Sequence, residues 1–89
     1  MDNFIKNNRL CVVYFTHNDF KDLNNKVENL KNSFGNSKFM FINSNKELDL
    51  IEDLNIKSVP LFRIYKNGYL IEEIYGTYPD ICEIISLHF

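Results

Sequence analysis

The sequence predicts an α/β domain in the order (α)βαβαββα, a four-stranded mixed sheet flanked by helices. Three observations carry that expectation. Leu10 to Phe15 is an unbroken apolar run rich in β-branched and aromatic residues, as a strand buried on both faces requires. Between Asn18 and Phe34 the apolar residues Phe20, Leu23, Val27, Leu30 and Phe34 recur in steps of three and four, which places them on one face of a helix. Asn67-Gly68 separates two further strand-like runs. A type I′ hairpin turn needs positive φ at both central residues, and Asn followed by Gly meets that need at low cost.

The elements follow in order. Asp2 to Asn8 reads as a short helix packed by Phe4 and Ile5. Leu10 to Phe15 is the first strand. In the helix of Asn18 to Phe34, Asn18 is expected to cap the start, and Gly35 stands where a left-handed residue closes a helix. Lys38 to Asn43 is the second strand. Ser44-Asn45-Lys46-Glu47 matches a capping box, in which serine bonds an orphan amide and glutamate reaches back. The helix it opens should turn Leu48, Ile51 and Leu54 inward and end at Asn55, with Glu47, Asp49, Glu52 and Asp53 on its solvated face. Leu61 to Lys66 and Tyr69 to Tyr75 form the hairpin. Glu72 and Glu73 send one charge to each face of the last strand, which suits a sheet edge. A final helix is expected from Tyr78, with Pro79 in its first turn and Ile81, Ile84, Ile85 and Phe89 as its apolar residues. The two strands joined by the first long helix should be parallel, with a right-handed crossover. The expected spatial order is second, first, third, fourth, with the third strand antiparallel to the first.

Composition narrows the function. The chain of 89 residues is read as one domain, 1–89, with 45% hydrophobic residues, 8 Phe and 5 Tyr to fill a small core. A net charge of −2 offers no field suited to nucleic acid or an acidic membrane. The polar start of the chain has no apolar segment of a signal peptide, and the longest apolar run is too short to span a bilayer. Cys11 and Cys82 lie far apart and form no disulfide framework or zinc pattern, so a cytoplasmic, reducing location is expected.

The stretch Ser58-Val59-Pro60-Leu61-Phe62-Arg63-Ile64-Tyr65-Lys66-Asn67-Gly68, with Gly76 closing the following strand, resembles the C-terminal half of the thioredoxin fold. The resemblance to the thioredoxin superfamily runs from about Phe4 to Phe89 and lacks the N-terminal strand of a full thioredoxin. It implies a cis Val59–Pro60 bond beside the loop at Thr16 to Asn18, with the backbone ahead of the proline exposed as a short strand edge. A redox thioredoxin also carries Cys-x-x-Cys after its first central strand. Here that place reads Thr16-His17-Asn18-Asp19-Phe20-Lys21. Aligned on Lys21, the cysteine positions fall on His17 and Phe20, and the family's buried aspartate falls on Tyr14. Dithiol exchange needs a thiolate at a helix N-terminus and a second thiol to release the mixed disulfide. Neither is present in this loop.

The resemblance therefore implies a redox-inactive domain that binds a protein or peptide, or serves as an accessory module. The expected groove comprises Thr16, His17, Asn18, Val59, Pro60, Tyr75 and Gly76. The alternative is a thioredoxin- or glutaredoxin-related enzyme with a glutathione-linked or single-thiol mechanism, for which the loop offers no nucleophile. Cys11 reads as a buried apolar residue of the central strand, and Cys82 as a helical thiol. His17 would need a carboxylate partner to act as a base, and Asp19 is the nearest in sequence. Tyr65, Tyr69, Tyr75 and Tyr78 are expected to cluster around the hairpin and its exit. No catalytic residue, cofactor, metal site, nucleic acid or membrane contact is expected.

Overall fold

The computed structural model describes residues 1–35, 38–76, 83, 86 and 87. The elements are α1 (Asp2–Asn7), β1 (Leu10–Thr16), α2 (Lys21–Phe34), β2 (Phe39–Asn43), α3 (Leu48–Asp53), β3 (Leu61–Lys66) and β4 (Tyr69–Tyr75). The four strands make one sheet in the order β2-β1-β3-β4. β1 runs parallel to β2 and antiparallel to β3, and β3 is antiparallel to β4. Strand order and directions match the sequence expectation. Glu83, Ser86 and Leu87 have helical backbone. The expected helix start at Tyr78 and Pro79, its apolar residues Ile81, Ile84, Ile85 and Phe89, and Cys82 lie outside the described residues.

The continuous apolar run of β1 is explained by its two neighbouring layers. Val12 and Tyr14 face Leu23, Val27 and Leu30 of α2, together with Phe62 and Ile64 of β3. Cys11, Val13 and Phe15 face the other way, toward Ile5 of α1, with Leu50, Ile51 and Leu54 of α3 packed on the same cluster. Every residue from Cys11 to Phe15 is fully buried, so this stretch leaves no position for a polar side chain facing water. Tyr14 stacks on Phe62 with ring centroids 4.4 Å apart and meets Phe41 edge-on at 5.2 Å.

The hairpin forms as its turn chemistry dictates. Asn67 and Gly68 take φ of 53° and 85°, and the Asn67 amide is further held by the Arg9 carbonyl at 2.7 Å. A register shift follows at Ile64/Tyr65, a bulge in the edge pair, and Glu72 and Glu73 sit on that edge.

Two helix starts differ from the sequence reading. α2 begins at Lys21 with Phe20 as its cap residue and no side-chain cap. Asn18 is not the cap, because the Phe20 amide closes a turn on the His17 carbonyl at 3.1 Å and Asn18 lies outside the helix. α3 begins at Leu48 with Glu47 as its cap residue, not at Ser44. Asn43 takes over the intended capping box: its carbonyl accepts the Lys46 and Glu47 amides, and its side chain accepts the Asn45 amide at 2.9 Å. Leu48, now the first residue of the helix, is 66% exposed rather than inward, while Leu50 joins Ile51 and Leu54 against the core. Asn55 ends α3 with a φ of 56°, as expected of an asparagine just past a helix. Gly35 closes α2 with a positive φ of 113°, but its ψ of 127° is extended rather than left-handed helical.

Candidate functional site

One end of the sheet gathers the segments that the sequence singled out. Thr16 pairs with Asn43, and Phe15 with Leu61, which puts Pro60 just beyond β3 at the level of Thr16. Leu61 in turn faces Tyr75, and the Gly76 amide donates to the Pro60 carbonyl at 2.9 Å. The ends of β1, β2 and β4 and the head of β3 therefore lie side by side. The Val59–Pro60 peptide bond is cis. Gly76 has a φ of 82°, a left-handed conformation that lets the chain leave β4 immediately beside the proline.

The seven groove residues do not all face outward. Thr16 is only 5% exposed, and Pro60 is buried. Val59 and His17 are half-buried; Asn18, Tyr75 and Gly76 are exposed, Tyr75 by 47%. Among the described residues nothing bonds the Val59 amide or carbonyl, just before the proline.

Thr16 turns inward to a polar network that the sequence reading missed. The Tyr14 hydroxyl donates to Asn24 Oδ1 at 2.7 Å, and Thr16 Oγ1 lies 2.5 Å from the same oxygen and 3.0 Å from the Tyr14 hydroxyl. Asn24 completes the link by donating from Nδ2 to the His17 carbonyl at 3.0 Å. One asparagine thus joins β1, α2 and the loop between them. A signal was available: Asn24 shares the helix face of Phe20, Leu23 and Val27, a polar residue on an apolar stripe, and Tyr14 and Thr16 share one face of the strand. Burial pushes the Tyr14 hydroxyl above its ordinary value, and the bond from Thr16 opposes the shift.

Above this network the loop is tied to the turn after β2. Ser44 N donates to the Thr16 carbonyl at 2.8 Å, Asn43 Nδ2 donates to Asn18 Oδ1 at 2.9 Å, and Asn45 Nδ2 lies 2.6 Å from His17 Nε2. His17 Nδ1 accepts the Asp19 amide at 3.1 Å and lies 3.3 Å from the Asp19 carboxylate. The ring meets Phe20 at 6.1 Å.

Two sequence expectations about side chains are answered here. Cys11 lies buried in mid-strand, its thiol pushed up by desolvation, and is not at the loop. Tyr65 and Tyr69 lie by the hairpin turn, Tyr65 buried and Tyr69 opposite Lys66, and Tyr75 at the exit of β4 flanks Pro60, while Tyr78 lies outside the described residues. Pairing across the sheet separates Tyr69 from Tyr75, because a hairpin sends the two ends of its second strand in opposite directions. No group of ligating side chains suited to a metal is found among the described residues.

Two adjoining cavities lie away from the proline, on the side of α1 and α3. One of about 470 Å³ is lined by Met1, Met40 to Asn43, Lys46, Glu47 and Leu50. The other, of about 420 Å³, shares Met1 and Leu50 with it and adds Asp2, Asn3 and Leu54. No helix among the described residues is long and apolar enough to cross a membrane.

The sequence matches no protein-family model and no curated protein. Solved structures do resemble the fold. A thioredoxin of Plasmodium falciparum superposes with a TM-score of 0.81 at 24% identity, over 99% of this chain and 90% of that one. The oxidised thioredoxin of the same organism gives 0.77 at 25% identity, over 98% and 88% of the two chains. Mitochondrial thioredoxin 3 of Saccharomyces cerevisiae gives 0.79 at 23%, over 93% and 81%. Topology and these likenesses together give the chain a thioredoxin-like fold.

Proposed function

We propose that this chain is a redox-inactive thioredoxin-like module that holds an extended protein or peptide segment across the end of its sheet. The observation that carries the reading is the backbone of Val59 at the head of β3, which has no hydrogen-bond partner among the described residues, beside exposed Tyr75 and Gly76. An extended segment can add its own amides and carbonyls to such a backbone, with specificity supplied by neighbouring side chains. Val59 and Tyr75 supply apolar surface, and Asn18 supplies a polar edge. Loss of dithiol chemistry follows from the loop. Thr16 to Lys21 holds no thiol, and Cys11 is buried near the start of β1, at the strand end away from the loop. A thiol in that place has neither the helix-end amides that stabilise a thiolate nor access to a substrate disulfide.

The test has two arms. In an insulin-reduction assay with dithiothreitol, the purified chain should not exceed the uncatalysed rate. Turnover that disappears on replacing Cys11 and Cys82 would overturn the redox part. In the second arm, peptides are selected from a random library against the wild type. Tyr75→Ala should weaken their binding about thirtyfold, the effect of losing a hot-spot aromatic worth about 2 kcal/mol. Glu52→Ala, on exposed α3, should leave it unchanged. Peptides that ignore Tyr75→Ala and a charge placed at Val59, yet respond to Glu52→Ala, would show that another face does the binding.

A further inference from the structure

We infer that His17 is a proton-operated clasp, closing the loop of Thr16 to Phe20 when neutral and releasing the Asp19 amide when protonated. The two ring nitrogens are committed to different segments. Nδ1 accepts the Asp19 backbone amide at 3.1 Å, within the loop. Nε2 lies 2.6 Å from the Asn45 side-chain amide, in the turn after β2. A neutral imidazole has one donor and one acceptor, and here the acceptor is fixed as Nδ1 because a backbone amide can only donate. The ring hydrogen is then on Nε2, which the Asn45 amide can accept once a half-turn brings its oxygen to the place now held by Nδ2, O and N being exchangeable in such an amide.

Protonation breaks this arrangement at one atom. A proton taken from solvent occupies the Nδ1 lone pair, and the Asp19 amide loses its acceptor to water. The new N–H has a ready partner, the Asp19 carboxylate 3.3 Å away. The Nε2 bond to Asn45 is compatible with both states. The loop therefore exchanges a backbone bond for an ion pair to an exposed carboxylate, whose side chain is 86% accessible. Such a pair is weak and constrains the backbone little. Imidazole is the side chain that makes this exchange between pH 5 and 8.

The surrounding charges do not offer a competing partner at that distance. Asp19 is the charged group of the loop itself, α2 brings Lys21 and Asp22 in its first turn, and the turn after β2 brings Lys46 and Glu47, all exposed. Among the described residues Asp19 is the one within ion-pair distance of the ring. The clasp borders the Val59 backbone but stands on the loop's own bonds, so it does not depend on the binding role proposed above.

The experiment is an NMR titration of the ¹⁵N-labelled full chain from pH 8 to pH 5, with His88→Gln so that one imidazole is observed. At pH 8 the ring nitrogens should report hydrogen on Nε2 and an acceptor at Nδ1. The Asp19 amide should then shift with the same midpoint as the ring, and its protection from solvent exchange should fall about tenfold, the scale of one hydrogen bond. In His17→Asn the Asp19 amide should no longer titrate over this range. Hydrogen on Nδ1 at pH 8, or an Asp19 amide that does not follow the ring, would overturn the inference.

Discussion

Asn24 shows how much one side chain decides in this domain. It satisfies two buried hydroxyls with its oxygen and the His17 carbonyl with its nitrogen. A buried polar network of this kind is favourable only when every member is partnered. Asn24→Leu should therefore destabilise by about 1–3 kcal/mol in urea unfolding, although leucine suits the apolar helix face, because Tyr14 and Thr16 are left without their acceptor. The same region sets an alkaline limit. Burial raises the Tyr14 hydroxyl above its ordinary 10.0 and the Cys11 thiol above its ordinary 9.0. A raised value in the folded state means that the unfolded chain loses these protons first. Their contribution is whole below those ordinary values and is lost as pH rises through the folded ones. The urea midpoint of the wild type should decline from pH 9 to 11, and Cys11→Ala/Tyr14→Phe should decline less steeply; equal slopes would refute the assignment. Cys11 offers a second readout. In Cys82→Ala the remaining thiol should react slowly with a disulfide reagent in the native state and at the free-thiol rate in denaturant.

Among the elements, α3 departs most from its sequence pattern, and its position is fixed from outside. Arg63, on β3, donates Nε to Glu73 Oε2 at 2.9 Å and Nη2 to the Leu54 carbonyl at 3.2 Å, with its third contact at the Tyr65 hydroxyl, 3.4 Å away. One guanidinium thus joins the edge strand to the C-terminal end of the helix, where carbonyls lack intrahelical donors. Burial works against its charge, and the bonds to Tyr65 and Glu73 outweigh that cost, so its pKa is raised. Arg63→Met keeps the stem but removes the fork. It should destabilise by about 1–3 kcal/mol and increase amide exchange in α3 more than in α2. Leu48→Ala is the contrasting case. The sequence pattern marks Leu48 as core, whereas its exposure predicts a change within about 0.5 kcal/mol. A loss of several times that amount would mean that the helix starts where the capping box placed it.

For the whole molecule, the two layers meet on β1 and β3, and no other part of the core can replace them. Leu61 is fully buried, pairs with Phe15 on one side and Tyr75 on the other, and heads the strand next to Pro60. Leu61→Ala should cost about 2–5 kcal/mol, the range for a large-to-small change in a packed core. The loss should appear in a single cooperative transition if the sheet unfolds as one unit. Two transitions seen by fluorescence and circular dichroism would instead separate the βαβ half from the hairpin.

The sequence by itself determined the strands, their order and the turn between β3 and β4. These rest on local rules: an apolar run buried on both faces, an amphipathic stripe, and a dipeptide that accepts positive φ twice. It also determined that the loop after β1 carries no thiol, since that is a matter of residue identity. Tertiary structure decided where helices begin and which groove residues face outward. Asn43 could seize the turn from Ser44 only because pairing with Thr16 brought it to the end of the sheet. Thr16 turned inward because Asn24, from another element, offered its amide oxygen. Tyr75 reached the proline because pairing across the sheet fixes distances that spacing along the chain does not. Caps, networks and groove walls depend on which partner reaches a group first, and the partners here come from segments distant in sequence.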